Sequence, residues 1–500
     1  MKKIILLCCI ICVISLQAQE KKESKPIPEG KIFSSKQMVR IDGKTINLNA
    51  QAGTIQLRND QNAPIALFGF TAYHKEGVND LSQRPIVFAF NGGPGSSSFW
   101  LHMGVLGPKR IPINDPNYTG PAPYDLVNNE YSILDVADLV MIDPVGTGLS
   151  VPVGDKDFKD FWGVDQDIES ISRFIRQYLI ENNRMNSPKY LLGESYGTFR
   201  NAGIMAYMQD MGIAMNGVIM VSAVFDLRTL LFPPGEDISY IVHFPTYAAT
   251  SRFHGLVDDP GESLDAFLKE IRDFTKNEYA PALFAGDRLS DFEKQSIAEK
   301  LAGYTGLSLD YWLKANLRVR AREYFQETLR DKGKTVGRLD SRFVGLTRDL
   351  LGQFADYDPQ SSAISPPYIT GFLHYLYNDL GVDKDLHYQT SAGSREGFRW
   401  DWSHQGNTAW GAQFAINTGI DMARAMMQNP DQKVLILNGI YDLATVFYGV
   451  EHTLDHLGLS PEVRDNIIMK YYEAGHMMYT HGPSLEKFKK DVSEFILDTK

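Results

Sequence analysis

The spacing of hydrophobic and polar residues divides the chain into stretches that favour different elements. In residues 31–90, short apolar runs alternate with Asp-Gly and Asn-Asp turn signals, which predicts strands at an antiparallel sheet edge. Apolar residues at helical spacing over residues 164–179 predict an amphipathic crossover helix. Apolar runs that predict strands of a largely parallel sheet lie at residues 86–90, 137–142, 189–192 and 217–222. This strand–helix–strand order predicts an α/β fold.

The pattern of apolar residues changes after residue 229. Helical patterns dominate residues 230–371, and we expect helices at residues 264–277, 290–302 and 309–329. We interpret this stretch as a mainly helical cap inserted into the α/β core, where it would cover the functional site and shape its pocket. The alternative is an added structural lobe with no role in selectivity. Strand patterns return at residues 434–437 and 467–472, and an amphipathic helix ends the chain.

The first 18 residues have the pattern of a secretory signal peptide. Lys2 and Lys3 precede an apolar run over residues 4–14, and Gln17-Ala18 ends in a small residue suited to cleavage. That run is too short to cross a membrane. The cysteines of the chain all lie in this segment, at Cys8, Cys9 and Cys12. We therefore expect an exported protein, periplasmic or extracellular, whose mature form has no disulfide.

Charge and composition restrict the classes of partner and the domain organisation that we expect. A net charge of -11 disfavours nucleic acid or an anionic membrane as a partner. No second apolar run approaches the length of a membrane span, and no linker or repeat divides the rest of the chain. The predicted parts are the signal peptide (1–18), a flexible lead-in (19–30), the first part of the core (31–229), the cap (230–371) and the second part of the core (372–500).

A glycine-rich loop, NGGPGSSS at residues 91–98, follows the predicted strand at residues 86–90. Few side chains screen the backbone N–H groups of such a loop, so it suits the stabilisation of an anion. A phosphate-binding loop is the nearest alternative, but no Gly-Lys-Ser/Thr ends this one. An oxyanion-hole loop ahead of a nucleophilic serine explains it better.

A serine flanked by glycines follows the predicted strand at residues 189–192. In Gly193-Glu194-Ser195-Tyr196-Gly197, the turn forces Ser195 onto a strained corner, with its hydroxyl exposed above the N-terminus of a helix. Side chains at the two glycines would collide with the neighbouring helix or strand. This pattern is the nucleophile elbow of the α/β-hydrolase fold, a mostly parallel sheet with an inserted helical cap.

Acyl transfer by a serine needs a general base and an acid that orients that base. In α/β-hydrolases they follow the serine in the order Asp, His, on loops after later strands. Asp442 and His476 satisfy the order and the placement, so we predict a triad of Ser195, Asp442 and His476. Asp226, which follows the predicted strand at residues 217–222, is the reserve candidate for the acid.

Two other groups of residues have competing interpretations. His452 and His456 have the spacing of a zinc pair on a helix, but neither the catalytic glutamate nor a third ligand is evident, so no metal site and no cofactor are predicted. An aromatic cluster after the cap is more typical of core than of a binding wall; it consists of Phe398, Trp400, Trp402 and Trp410.

Together, the NGGPG loop, the GESYG elbow, Asp442 and Gly475-His476-Met477 resemble the serine carboxypeptidase family. The similarity spans roughly residues 85–225 and 430–480. The resemblance implies a secreted hydrolase that releases C-terminal amino acids from peptides through an acyl-enzyme. It also implies further roles: oxyanion hole for the N–H groups of Gly93 and Tyr196, substrate-carboxylate binding for Asn91 and Glu194, and leaving-group site for Met477.

Two departures from the family pattern weaken the expected recognition of a C-terminus. Ser96 stands where the family commonly has a cysteine that ties this loop to the cap by a disulfide. Val105 stands where it commonly has a second carboxylate-binding glutamate. A serine esterase or acyltransferase of the same fold is therefore an alternative. A catalytically silent exported binding protein is another, although the intact triad and glycine loop speak against it.

Overall fold

The computed structural model describes residues 27–258, 261–405 and 416–500. The predicted signal peptide, most of the lead-in and Trp410 lie outside the described residues, so the interpretations that rest on them stay predictions.

Fourteen strands are present in the described chain, and ten of them form one central sheet. The strands are β1 (Ile32–Ile41), β2 (Lys44–Arg58), β3 (Pro64–Lys75), β4 (Ile86–Phe90), β5 (Lys109–Arg110), β6 (Val127–Asn128), β7 (Asp138–Asp143), β8 (Val151–Pro152), β9 (Lys189–Glu194), β10 (Gly217–Val221), β11 (Lys334–Val336), β12 (Val344–Leu346), β13 (Lys433–Gly439) and β14 (Ile467–Tyr472). The order in the central sheet is β1-β2-β3-β7-β4-β9-β10-β13-β14, with β8 paired to β3.

The pairings divide this sheet into two regions. β1, β2 and β3 pair antiparallel, and β3 joins β7 antiparallel, which confirms the predicted antiparallel edge. From β7 to β14 every pairing is parallel. β4, β7 and β10 are buried along their whole length, as continuous apolar runs predict for strands covered on both faces. The expected short strands of this edge are instead three long ones, β1, β2 and β3.

The α-helices are α1 (Phe99–Leu101), α2 (Val164–Glu181), α3 (Tyr196–Asp210), α4 (Ile238–Phe253), α5 (Leu264–Phe274), α6 (Ala280–Ala285), α7 (Asp291–Thr305), α8 (Leu309–Lys314), α9 (Ala321–Glu327), α10 (Pro359–His374), α11 (Gly419–Gln428), α12 (Phe447–Asp455), α13 (Pro461–Arg464) and α14 (Gly482–Thr499). The predicted crossover helix is α2 and the predicted last helix is α14. None of the helices in the described ranges is long and apolar enough to cross a membrane.

Hydrophobic clusters cover both faces of the sheet. In β10, Ile219 and Val221 belong to one cluster, and Val218 and Met220 belong to the other. The first cluster includes side chains of α10 and α14, and the second includes side chains of α2, α3 and α11. The parallel strands therefore lie in the middle of a layered core, and loops at their carboxyl ends are held in fixed relative positions.

The stretch predicted as a cap has its own hydrophobic cluster, built from α4 to α9. The predicted helix at residues 309–329 is wrong as a single helix, because the chain breaks into α8 and α9. Asn316 and Leu317 between them have positive φ angles of 52° and 63°, which no α-helix accommodates. The predicted boundary at residue 371 lies inside α10, whose buried side chains pack in the sheet core. The division into core and cap stays an interpretation.

Candidate active site

Ser195 occupies the corner between β9 and α3. Its backbone has φ 60° and ψ −129°, a conformation that an L-residue adopts only when its surroundings impose it. Its N–H donates to the Val221 carbonyl at 2.9 Å, which fixes the corner to the end of β10. Ser195 is partly exposed while the residues on either side are buried. The turn therefore presents the hydroxyl at the carboxyl end of the sheet.

Close backbone packing explains the glycines around this corner. A Cβ on Gly193 would collide with the Gly197 carbonyl, and a Cβ on Gly92 would overlap the backbone nitrogen of Tyr196. At these glycines the two backbones are in direct contact. Side chains at these positions would push the two segments apart.

The structure brings Asp442 and His476 together at the ends of the adjacent strands β13 and β14. His476 Nδ1 lies 2.7 Å from Asp442 Oδ2. The N–H groups of Ala444 and Thr445 donate to Asp442 Oδ1 at 2.7 and 3.0 Å, and the Thr445 hydroxyl donates to Oδ2 at 2.7 Å. The carboxylate is fully buried and held on both oxygens, so it can fix the orientation of the imidazole ring.

Ser222, at the end of β10, connects the serine corner to the histidine loop. Ser195 is bonded to Val221, and the hydroxyl of the next residue, Ser222, donates to the His476 carbonyl at 2.6 Å. Within the described residues, the Ser195 hydroxyl itself makes no hydrogen bond. In enzymes without substrate the serine–base contact is often long and tightens only when substrate binds.

The protonation of His476 is set by opposing effects. Burial lowers its pKa, but the charge and hydrogen bond of Asp442, together with the charge of Glu194, outweigh burial and raise the pKa above its ordinary value. A stabilised imidazolium is what a general base needs once it has taken the serine proton.

The alternative residues have other partners. The Asp226 carboxylate binds the Arg228 side chain at 2.6 Å and caps the short helical turn that follows it. The His452 and His456 rings pack against each other at an interplanar angle of 37°, with centroids 4.1 Å apart. In the part of the chain that the structure describes, no group of three or more His, Cys, Asp and Glu side chains could hold a metal ion.

The N–H groups of Gly93 and Tyr196 are available to an oxyanion. Tyr196 is the first residue of α3, where an N–H has no intrahelical acceptor. Within the described ranges, neither N–H donates to a backbone or side-chain oxygen. Gly93 has φ 109°, which suits glycine. Both groups lie beside Ser195, because Gly92 packs directly on the Tyr196 nitrogen.

Backbone bonds hold the glycine loop at its far end. The Ser97 N–H donates to the Thr390 carbonyl at 3.1 Å, and the Ala392 N–H donates to the Gly95 carbonyl at 2.8 Å. Ser96 forms a β-bridge with Ser391. Residues 390–392 therefore tie this loop without a disulfide at Ser96.

Glu194 lies buried beside the nucleophile. Asn91 Nδ2 donates to its Oε1 at 2.9 Å, and burial raises the pKa of the Glu194 carboxyl to about 7. Glu194 Oε2 and the Tyr479 hydroxyl are both buried and lie against each other. Burial raises the pKa of Tyr479, and the negative charge of Glu194 adds to this rise. A buried carboxyl group and a buried hydroxyl at this place suit a polar ligand group.

The remaining predicted residues flank this group. Met477 is buried directly after His476, and Val105 is fully buried in the core. The Tyr196 ring packs edge-on against Trp400 and Trp402, at centroid distances of 5.4 and 5.9 Å. Trp402 is 42% exposed, so the aromatic cluster is not purely core and reaches the residue that follows the nucleophile.

Sequence reasoning missed three contributors to this site: Tyr479, Thr445 and Arg200. Arg200 Nη1 donates to the Asn91 carbonyl at 2.8 Å, and its Nε donates to the buried Asp167 at 2.6 Å. A hydroxyl three residues after the predicted acid or base was a usable signal for Thr445 and Tyr479. The only sequence signal for Arg200 was its position in the predicted helix, a little over one turn after Ser195.

Part of the chain matches a known protein family. Residues 43–217 match the family described as serine carboxypeptidase. The resemblance to the serine carboxypeptidase family is confirmed. The matched part contains the glycine loop and the elbow, whereas Asp442 and His476 lie beyond it.

A relative and a solved structure extend the comparison. The vitellogenic carboxypeptidase of Aedes aegypti is 26% identical over 174 residues, which make up 34% of this chain and 34% of that protein. The match thus spans about a third of the length of the curated relative. The crystal structure of Kex1(delta)p, a prohormone-processing carboxypeptidase from Saccharomyces cerevisiae, superposes with a TM-score of 0.52 at 17% identity, covering 90% of this chain and 92% of that chain. This likeness concerns the fold, and it confirms the predicted α/β-hydrolase fold.

Proposed function

We propose that this chain is an exported serine carboxypeptidase that releases the C-terminal residue of peptides through an acyl-enzyme. The observation that carries the proposal is the buried Asp442–His476 hydrogen bond of 2.7 Å beside the strained Ser195 corner. The family match over residues 43–217 supports the same reaction class. Export is proposed from the pattern of residues 1–18.

In this mechanism, Ser195 Oγ attacks the carbonyl carbon of the last peptide bond. His476 Nε2 takes the hydroxyl proton, while Asp442 holds Nδ1–H and stabilises the imidazolium. The N–H groups of Gly93 and Tyr196 donate to the oxyanion that forms on the carbonyl oxygen. His476 then gives the proton to the leaving amine, and the C-terminal amino acid departs. Water attacks the ester by the same route and releases the shortened peptide.

Recognition of the substrate C-terminus is assigned to Asn91 and Glu194. A carboxylate at Glu194 would repel the substrate carboxylate, whereas the protonated acid can donate a hydrogen bond to it. The raised pKa of about 7 supports a protonated Glu194 at mildly acidic pH. Met477, buried next to His476, would lie beside the departing residue.

An esterase or acyltransferase is the second candidate. Val105 is fully buried and apolar where the family commonly has a second carboxylate-binding glutamate. A site with one carboxyl group discriminates less strongly between a free C-terminus and an ester.

Fluorophosphonate labelling, followed by a matched substrate set, tests the proposal. We expect wild type to be labelled at Ser195 and Ser195→Ala to remain unlabelled. An N-acylated dipeptide with a free C-terminus is then compared with its C-terminal amide and methyl ester. Higher kcat/KM for the free acid at pH 5 supports the carboxypeptidase. Hydrolysis of the ester alone supports the second candidate, and a wild type that resists the label is a binding protein.

A further inference from the structure

We propose that residues 338–342, in the stretch predicted as the cap, position the Asp442–His476 pair, with Asp340 as the central residue. We call these residues the clasp. The inference rests on the proposed function for the meaning of the pair, but the clasp itself is defined by contacts within the chain.

One side of the clasp holds the histidine loop. The His476 N–H donates to the Leu339 carbonyl at 2.6 Å, and the Gly475 N–H donates to Asp340 Oδ2 at 2.9 Å. The fit leaves no space, because a Cβ on Gly475 would lie 2.5 Å from the Asp340 Cα. Hydrogen bonds from the two consecutive N–H groups therefore fix the backbone that carries the His476 imidazole.

The other side of the clasp holds the aspartate loop. The Ser341 N–H donates to the Tyr441 carbonyl at 3.0 Å, and the Leu443 N–H donates to the Arg338 carbonyl at 3.0 Å. These bonds lie immediately before and after Asp442. The five-residue clasp therefore forms hydrogen bonds with both loops. The separation of the two loops sets the distance between the Asp442 carboxylate and the His476 imidazole.

Buried charges hold Asp340 in place. Arg342 Nε donates to Asp340 Oδ1 at 3.0 Å, and Arg342 Nη2 donates to Asp340 Oδ2 at 2.6 Å. The same Nη2 reaches Asp115 Oδ1 at 2.9 Å. Asp340 is fully buried and Arg342 is 5% exposed. A buried ion network of this kind is costly when one member is removed, and it holds its members in one geometry.

A second anchor fixes the start of the clasp. The Asp358 carboxylate, which caps α10, accepts from the N–H groups of Arg338 and Leu339 at 3.1 and 2.9 Å. The clasp is therefore tied independently to α10 and to Asp115. Asp340 acts through the backbone of Gly475, so it is a positioning residue and not a catalytic one.

Loosening the clasp has a predictable electrostatic effect. Burial lowers the pKa of His476, the charge and hydrogen bond of Asp442 and the charge of Glu194 raise it, and the charge of Arg338, itself a clasp residue, lowers it by less than Asp442 raises it. A longer Asp442–His476 contact weakens the largest of the raising effects, so the imidazole pKa falls. The base is active when neutral, so the acid limb of the kcat/KM profile moves to lower pH while kcat decreases.

The main test is Asp340→Asn, assayed with an ester substrate at several pH values. Asp340 Oδ2 accepts from Gly475 and Arg342, and Oδ1 accepts from Arg342. An amide removes the negative charge that pairs with Arg342 and turns an NH2 donor towards one of these N–H groups. We expect kcat to fall about 10- to 100-fold with KM nearly unchanged, as for a small misplacement of a catalytic group. We also expect the low-field proton resonance of the His476 Nδ1–H to shift or disappear. Asp115→Asn, which weakens the contacts of Asp115 with Arg342 and with the Thr480 hydroxyl but leaves Asp340 in place, should give a smaller change in the same direction and replaces Asp340→Asn if that variant does not fold.

Asp138→Asn is the matched control. Asp138 is also buried and bonded by two arginines, Arg184 at 2.6 Å and Arg84 at 3.1 Å, but it lies at the amino end of β7. We expect it to lower Tm while leaving kcat, the pH profile and the resonance as in wild type. If Asp340→Asn behaves like Asp138→Asn, the clasp is only structural and the inference is wrong. If wild type itself resists the fluorophosphonate, the proposed function fails, whereas the resonance still tests the clasp.

Discussion

Asp442 is the residue on which the orientation of the base depends. Its two oxygens accept from two N–H groups, from the Thr445 hydroxyl and from His476, so an amide here would present a donor where acceptors are required. We expect Asp442→Asn to fold with nearly unchanged far-UV circular dichroism but to lose about 10⁴-fold in kcat, through the wrong imidazole tautomer.

Asp226→Asn is the control for that substitution. Asp226 caps a helical turn, as an asparagine also does, and pairs with the half-exposed Arg228, so the substitution should cost no more than about 1 kcal/mol of stability and leave kcat within about twofold. The reverse pattern, with activity kept in Asp442→Asn and lost in Asp226→Asn, would move the acid to Asp226.

Glu194 is expected to make peptide hydrolysis depend on acid pH. With a pKa of about 7, the side chain loses its proton as the pH rises through neutrality, and the charged form repels a substrate carboxylate. We expect kcat/KM for a free-acid dipeptide to fall above about pH 7, while the matched ester keeps its rate. Because Val105 supplies no second carboxyl group, this acid requirement should be weaker than is usual in the family.

Glu194→Gln separates this effect from the titration of His476. An amide donates a hydrogen bond at any pH, so the peptide optimum should move upward and the ester profile should stay in place. Profiles measured from pH 4 to pH 9 with both substrates check this. An unchanged peptide optimum would exclude Glu194 as the carboxylate-binding group.

At the residue scale, the sequence predicted Ser195, Asp442 and His476 because each follows a strand pattern and their order is restrictive. The structure brings the last two into contact. Tyr479 and Asp340 were not predictable in the same way. Asp340 meets Gly475 across 135 positions of sequence, and a contact of that kind depends on how separate elements pack.

At the scale of elements, buried strands were easier to predict than helices of the cap. β4 and β13 are short apolar runs with no competing pattern. The predicted helix at residues 309–329 has a suitable composition throughout, but the backbone turns at Leu317, a residue whose side chain gives no signal for a positive φ. The predicted start at residue 309 is the first residue of α8, which Ser308 caps, whereas the break depended on packing.

His404 links two helices of the core, and its protonation predicts how stability depends on pH. Nδ1 lies 2.6 Å from Asp165 in the first turn of α2, and Nε2 lies 2.6 Å from Asp421 in the first turn of α11. Burial lowers the pKa of His404, but hydrogen bonds to Asp165 and Asp421 and their charges outweigh it and raise the pKa to about 9. A raised histidine pKa stabilises the fold at pH values below the ordinary value of 6.5, and this contribution is lost as the pH rises through about 9.

We therefore expect His404→Gln to lower Tm most at pH 6, with the difference from wild type disappearing towards pH 10. His452→Gln is the matched control, because His452 packs against His456 and its pKa is lowered, mainly by burial and then by the charge of His456. Thermal unfolding of the three proteins between pH 5 and pH 10 checks this. A His404→Gln deficit that does not depend on pH would show that the carboxylates do not hold a charged imidazole.

At the scale of the whole molecule, the sheet is sandwiched between two large buried clusters, which is how a chain of this size acquires stability from its core. The clasp adds a connection between the stretch predicted as the cap and the loops that carry Asp442 and His476. If the clasp acts as we infer, that stretch contributes to catalysis.

The positions of the cysteines connect export with the absence of disulfides. The cysteines of the chain are Cys8, Cys9 and Cys12, all within the predicted signal peptide, so the exported protein should begin near Gln19 and contain no disulfide. Its Tm should then be the same with and without a reducing agent. Replacing the three cysteines by serine in the precursor should leave the Tm of the exported product unchanged. Intact-mass measurement of that product decides the matter, because a species that retains Cys8, or a lipid-modified N-terminus, would contradict cleavage after Ala18.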